Sequence, residues 1–190
     1  MLEVKPVDVT AVRDLGQLFA ADATTQGCWC TWFIVPVKEH HAAGEAGNRA
    51  TFAQLVACSA EPAGLIASVD GAAVGWCAAG PRSRYTRAIR TPTYKGRDPA
   101  EDDRVWLVPC FYIRPDARNQ GVSRALLQSA VEVAREHGAI AIEGFPFAGS
   151  GRRSSGDVQV GVESLFASCG FTAVRRPSGN RVVMRLELMT

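Results

Sequence analysis

The sequence predicts a mixed α/β fold, with a central sheet of about six to seven strands flanked by about four helices. Three observations carry this. The near-continuous apolar run from Val105 to Ile113 calls for a strand buried on both faces. It leads into a helix from Gly121 to His137 with two apolar faces, then into a second apolar run from Ala139 to Phe145. Strand, helix and strand in that order make a βαβ unit with parallel strands. Upstream, the runs Gly64 to Val69 and Ala73 to Gly80 flank Asp70-Gly71, a strong signal for an antiparallel hairpin. The 190 residues fit one domain spanning 1–190, and a content of 47% hydrophobic and 21% charged residues is that of a globular chain.

The elements follow in order. Leu2 to Val7 alternates like a half-buried strand, and Asp8 offers an N-cap to a helix from Val9 to Ala20 whose apolar positions recur every three or four residues. Thr24 to Glu39 reads as a loop or broken helix, rich in aromatics (Trp29, Trp32, Phe33). A second helix is expected from Gly44 to Ser59. After the hairpin, Pro81 to Arg104 lacks periodicity and carries six basic residues from Arg82 to Arg97 ahead of Glu101-Asp102-Asp103, the reading of a long mobile connection that is either a substrate lid or plain linker. Pro109 interrupts the central strand, and because proline has no N–H it marks an edge, a bulge or a splayed pair at that height. Gly138 ends the long helix. Gly149 to Gly156 reads as a flexible loop, Val160 to Cys169 as a short helix, and Phe171 to Arg175 and Arg181 to Leu188 as closing strands.

The net charge of +2 speaks against bulk nucleic-acid binding. No apolar window suits a membrane span and the N-terminus lacks the pattern of a signal peptide, so a cytoplasmic location is expected. Six cysteines spread thinly over the chain are expected to be free thiols. Cys28-Trp29-Cys30 lacks a matching second pair, so no metal is expected. A homodimer is left open.

The chemistry centres on Arg118-Asn119-Gln120-Gly121-Val122-Ser123, where the buried strand turns into the helix. The first turn of a helix presents N–H groups without intrahelical partners, which suits a diphosphate. Gly121 admits close approach, Ser123 stays small, and Arg118 and Arg124 add positive charge. Alone, the hexapeptide equally describes a tight turn with solvated arginines. In context, Phe111 to Leu127 resembles motif A of the GNAT superfamily of N-acetyltransferases, whose pattern is Arg or Gln, two residues, Gly, one residue, then Gly or Ala. Ser123 departs mildly. The order of elements and the closing Leu165-Phe166-Ala167-Ser168-Cys169-Gly170-Phe171 are similar to the family as well.

That resemblance implies a splayed parallel pair with acetyl-CoA, or another short acyl-CoA, as co-substrate. Backbone groups of Phe111 and Ile113 would pair with pantetheine, and amides around Asn119, Gln120, Gly121, Val122, Ser123 and Arg124 would wrap the pyrophosphate beside Arg118. The reaction implied is direct acyl transfer to the primary amine of a small molecule. A protein amine, or a non-catalytic acyl-CoA sensor, is the alternative. Many members use a tyrosine as acid where this chain has Phe166, leaving Tyr112, Ser168 or water. Gln159 and Val162 stand where the family tends to have Asn and a small residue. For the base, Glu143 is the only charge in its strand, and burial would raise its pKa; its other reading is a carboxylate paired with a loop arginine. Cys110 is a second catalytic candidate, against the plainer reading of a buried thiol. Trp29, Cys30, Trp32 and Tyr85 are candidate acceptor contacts, with core packing as the competing explanation for the aromatics.

Overall fold

The computed structural model describes residues 1–149 and 159–188. Most of the expected 149–156 loop lies outside them. Among the described residues, seven strands form one sheet: β1 (Leu2–Pro6), β2 (Gly64–Val69), β3 (Ala72–Pro81), β4 (Val105–Ile113), β5 (Ala141–Gly144), β6 (Thr172–Ser178) and β7 (Arg181–Glu187). Their order is β1-β2-β3-β4-β5-β7-β6. Only β4 and β5 are parallel, as the βαβ reading requires. Five α-helices accompany them: α1 (Val12–Ala20), α2 (Ala23–Cys28), α3 (Val37–Cys58), α4 (Val122–Glu136) and α5 (Glu163–Ser168).

Each element follows from local chemistry. The β2–β3 hairpin turns at Asp70 (φ 49°) and Gly71 (φ 81°), and two successive positive φ angles are what a tight two-residue hairpin demands. The helix α4 buries Val122, Leu126, Leu127, Ala130, Val131, Val133 and Ala134 against the sheet. A fully buried leucine contributes about 1.5–3 kcal/mol, so this face alone commits α4 to its place. It lies very close to β3 at Gly75, where an added Cβ would stand 2.8 Å from Val122 Cγ1. On the opposite face, Leu15, Phe19, Trp29, Phe52 and Trp76 form a second core between α1, α3 and the sheet.

Two helix boundaries differ from expectation. The carboxylate of Asp8 accepts from the amides of Thr10 and Ala11 (2.9 and 3.0 Å) and from the Thr10 hydroxyl, so it closes a turn, and α1 begins only at Val12. The helix α3 starts at Val37, ahead of the expected Gly44, and Gly44 (φ 58°, ψ −168°) breaks it into two pieces. The glycine is where the path bends because few other residues tolerate that backbone.

The largest correction concerns residues 81–104, which form four single 3-10 turns packed over a third core around Tyr85, Tyr94, Leu107, Phe145 and Val183. The arginines hold the segment down. Arg82 is 1% exposed and reaches Asp102 (2.7 Å), Glu143 (3.0 Å) and the Asp98 carbonyl (2.7 Å). Arg84 donates to the carbonyls of Pro62, Ala79 and Glu61. A segment without hydrophobic periodicity is thus secured by guanidinium forks that satisfy carbonyls no ladder reaches.

Candidate active site

The site begins with Pro109. Opposite it the β3–β4 register slips, from Ala78 facing Cys110 to Gly80 facing Leu107, which sets Val108 and Pro109 against Ala79 as a bulge. On the other side the β4–β5 ladder pairs Val105 through Val108 with Ala141 through Gly144 and goes no further. Among the described residues, β4 beyond Pro109 therefore has a free edge on the side of β5. The Arg114 amide bonds to Val74 O of the neighbouring strand (2.9 Å), so alternation along β4 turns the amides of Phe111 and Ile113 toward the free edge. Arg118 Nε reaches the Ile113 carbonyl there (3.2 Å).

That edge runs to the start of α4. Asn119 (φ 61°) and Gly121 (φ 80°) both lie in the left-handed region, and no side chain caps the helix. The turn thus aims main-chain amides outward at the positive end of the helix dipole. An added Cβ at Gly121 would meet nothing within 4 Å, so here glycine serves the backbone angle rather than close packing within the chain. A cleft of about 360 Å³ spans this edge and turn, lined by Phe111, Tyr112, Ile113, Arg118, Asn119, Val122 and Ser123 on one wall and by Asp22, Gly161, Val162 and Leu165 on the other. Gln120 instead donates its side chain to the Asp116 carbonyl, which braces the turn, and Arg124 is exposed outside the cleft wall.

A second cavity of about 510 Å³ adjoins the first, and Thr24 and Gln159 line both. Its walls are Cys28 and Cys30 from the end of α2, Trp32 and Phe33, His40, His41, Glu45 and Asn48 from the broken helix α3, and Cys110 from β4. The loop between α2 and α3 is held open by specific bonds. Trp29 and Cys30 take positive φ (47° and 51°), Asn48 donates to the carbonyls of Gly27 (2.9 Å) and His40 (3.3 Å), and Arg87 stacks 3.4 Å from the Trp32 ring while donating to its carbonyl. Arg87, on the 81–104 segment, thus sets the position of a cavity wall.

The expected site residues divide accordingly. Cys30 and Cys110 meet with sulfurs 3.7 Å apart on the cavity wall, and Trp76 Nε1 donates to Cys30 Sγ (2.9 Å). The Cys110 contact and burial push the Cys30 thiol well above its ordinary pKa, and burial pushes Cys28 up to about 11. Both are therefore neutral, weakly reactive thiols at pH 7. Trp32 lines the cavity. Trp29 does not; it is 3% exposed and packs edge-on against Phe19 in the core. Tyr85 is likewise enclosed within the third core and lines neither space.

Glu143 follows the second of its two readings, a carboxylate paired with a loop arginine. It is buried as predicted, yet its two oxygens are taken by Arg82 (3.0 Å) and Arg185 (3.0 Å), and it lines neither cavity. Two guanidinium partners occupy the lone pairs a base would offer to an amine. Phe166 is fully buried, edge-on to Phe111 and Phe171. Of the two hydroxyls considered beside it, Ser168 donates to the Leu165 carbonyl, whereas Tyr112 lines the first cleft and its buried hydroxyl has no hydrogen-bond partner among the described residues. Burial, then the nearby Asp22, raise the Tyr112 pKa, so its proton is retained at neutral pH.

The sequence offers His40-His41 only as an adjacent pair that cannot easily share one metal, and Glu45 and Asn48 escaped the sequence reading altogether. The pair stands just ahead of a helix-breaking glycine, a pattern that reads more simply as solvated helix surface.

With the geometry in place, comparison with known proteins is direct. The Acetyltransferase (GNAT) family matches residues 28–146, more than half of the chain. No curated protein matches. Solved structures share the fold at low identity. PaiA N-acetyltransferase from Thermoplasma acidophilum, in complex with coenzyme A, is 13% identical with a TM-score of 0.56, covering 99% of each chain. YncA from Salmonella typhimurium, solved with acetyl-CoA, is 16% identical with a TM-score of 0.54, over 99% of this chain and 94% of its own. Ribosomal-protein-alanine N-acetyltransferase from Brucella melitensis is 19% identical with a TM-score of 0.53, over 98% and 99%. The mixed sheet with one parallel pair opening at Pro109 and the family match over both central strands agree, and the chain belongs to the GNAT acetyltransferase family.

Proposed function

We propose that residues 1–190 act as one catalytic domain that transfers acetyl from acetyl-CoA to the primary amine of a small molecule, by direct attack in a ternary complex. The observation that carries this is the continuous path of outward main-chain amides from Phe111 and Ile113 on the free edge of β4 to the uncapped start of α4. Amides spaced along an extended edge match the two amide groups of a pantetheine arm, and a helix N-terminus matches a pyrophosphate. The coenzyme A and acetyl-CoA complexes of PaiA and YncA, which share the fold, support that reading.

Bound acetyl-CoA supplies an activated acyl group whose carbonyl oxygen gains negative charge during attack. The Phe111 amide, free of a strand partner on that side, is the natural donor to that oxygen. Arg118 and the amides from Asn119 to Arg124 hold the phosphates. Tyr112 is the hydroxyl closest at hand to protonate the departing sulfur. The second cavity takes the acceptor: walled by Trp32 and Phe33 and edged by Glu45, it suits an amine with an apolar or aromatic body that arrives as its ammonium ion.

The test is a thermal-shift titration with acetyl-CoA, followed by thiol release against a panel of aliphatic and arylalkyl amines. Stabilisation with thiol release on small amines is expected. Absence of stabilisation sinks the cofactor reading, and stabilisation without release on any amine points instead to an acyl-CoA sensor.

A further inference from the structure

The second cavity contains one ionisable side chain that nothing in the fold explains. His40 is 8% exposed, so it is buried beyond nine-tenths; the Cys28 backbone lies close enough to the ring to raise its pKa, but among the described residues neither nitrogen has a partner in good hydrogen-bond geometry. Buried polar groups are paired in the great majority of cases, and an unpaired one has to be accounted for. Leaving such a group unsatisfied costs on the order of 1–3 kcal/mol. Here the fold takes specific steps to keep the ring where it is. Asn48 binds the His40 carbonyl, and the Trp32 ring meets the imidazole edge-on at 5.1 Å, itself pinned by Arg87. The backbone is tied and the ring flank is packed, and His40 lines a cavity that also reaches Cys110 on β4.

We propose that His40 is the group that takes the proton from the acceptor amine. The inference rests on the acceptor reading of the second cavity. The other titratable groups on the cavity wall are Cys28, Cys30, Cys110, His41 and Glu45. Cys28 and Cys30 hold their protons at neutral pH, and Cys110 lies against Cys30. Glu45 and His41 sit on exposed positions at the rim, where a proton exchanges with water rather than with a buried amine. Among the described residues of the wall, His40 alone combines burial with a ring nitrogen left open to an amine. Burial, then His41 and Arg87, lower its pKa below the ordinary histidine value of 6.5 and outweigh the Cys28 backbone contact, which raises it, so the ring is neutral and able to accept a proton at pH 7.

The proton balance is simple. The ammonium group gives one proton to His40, and the freed lone pair attacks the thioester carbon. The C–N bond forms, and the C–S bond breaks with its electron pair passing to sulfur. The second proton lost from nitrogen ends on that sulfur. The charged His40 then releases its proton toward the rim, where the exposed His41 ring lies 5.6 Å away.

Three measurements on the full chain test this, with 2-phenylethylamine and tryptamine as acceptor probes. First, His40→Gln lowers kcat/KM for the amine by at least about 100-fold while leaving acetyl-CoA affinity unchanged by calorimetry. The wild-type profile falls on the acid side of pH 6.5 as His40 becomes charged, and that limb disappears in His40→Gln. Second, imidazole in solution restores rate to His40→Ala but not to wild type, a rescue that a merely structural role would not produce. Third, without acetyl-CoA, 2-phenylethylamine shifts the His40 ring-nitrogen resonance in the wild-type NMR spectrum. A His40→Gln enzyme that keeps its rate and its acid limb overturns the proposal while leaving the transfer reaction standing. A wild-type enzyme that binds acetyl-CoA yet acetylates neither probe, with the ring resonance unmoved, overturns it together with the acceptor reading. Loss of acetyl-CoA binding by wild type identifies failure of the cofactor reading instead.

Discussion

Phe166 shows how one side chain can close a route and serve the fold at the same time. Its ring fills the gap where β5 ends. A Cβ built on Gly144 would lie 2.5 Å from Phe166 Cζ, and one built on Gly161 would lie 3.0 Å from Cε2. Restoring the tyrosine that many family members carry would therefore add a hydroxyl inside an apolar enclosure rather than at the cleft. Phe166→Tyr is expected to lose about 1–3 kcal/mol from an unsatisfied buried hydroxyl, seen as a lower midpoint in urea unfolding, with no gain in kcat. A higher kcat would show that the ring tip reaches the reacting atoms. At this scale the sequence exposed identity but not orientation. Glu143 could be recognised as a buried lone charge, yet Arg82 stands 61 positions away and Arg185 stands 42 away, so nothing local revealed that both its oxygens were taken.

Among the elements, α4 and the β4 edge together build the anion-facing turn, and their spacing is controlled by Gly75. Val122, Ile113 and Leu126 all approach within 3.2 Å of the Cβ that Gly75 lacks. Gly75→Val should push the first turn of α4 off the sheet, costing about 1–3 kcal/mol as overpacking and moving the amides of Val122 and Ser123 away from the β4 edge. The expected result is a lower melting temperature together with a several-fold weaker acetyl-CoA Kd by calorimetry. A stable variant with unchanged Kd would show that the turn adjusts independently of the sheet. Elements such as α4, the β2–β3 hairpin and the βαβ order were legible because period and punctuation are local properties: Leu126 and Leu127 announce a helix face, and Asp70-Gly71 announces its turn. The early start of α3 was not, because Val37 to Ala43 carries little hydrophobic period and is stabilised by contacts such as Asn48 to the His40 carbonyl. Residues 81–104 were missed for a related reason. Their order comes from Arg82, Arg84 and Arg87 reaching partners elsewhere and from Arg97 clamping Asp102 and the Ile89 carbonyl within the segment, and a run of arginines reads from sequence as solvated charge.

Across the whole molecule, those arginines connect the outer strands to the acceptor cavity. Arg185 on β7 and Arg82 at the end of β3 meet on Glu143 of β5, and Arg82 and Arg97 share Asp102. From that anchor the segment runs back to place the Arg87 guanidinium on Trp32 and the Thr86 hydroxyl on the Ile34 carbonyl. The cavity wall thus depends on a buried ion network on the far side of β4. Removing one member of a buried pair leaves an uncompensated charge and costs about 3–5 kcal/mol. Glu143→Ala should therefore lower the urea midpoint strongly, whereas Glu143→Gln, which keeps the shape and can still accept from Arg82, should cost less. Because the network holds the segment and the segment holds Trp32, hydrogen exchange in Glu143→Ala should quicken through residues 82–104 and through 31–35, while the amides of α4 stay protected. The same variant should raise KM for the amine more than the Kd of acetyl-CoA. If exchange quickened only around β5 and the amine KM did not move, the cavity wall would be shown to stand without the network, and the placement of Trp32 would rest on α3 alone.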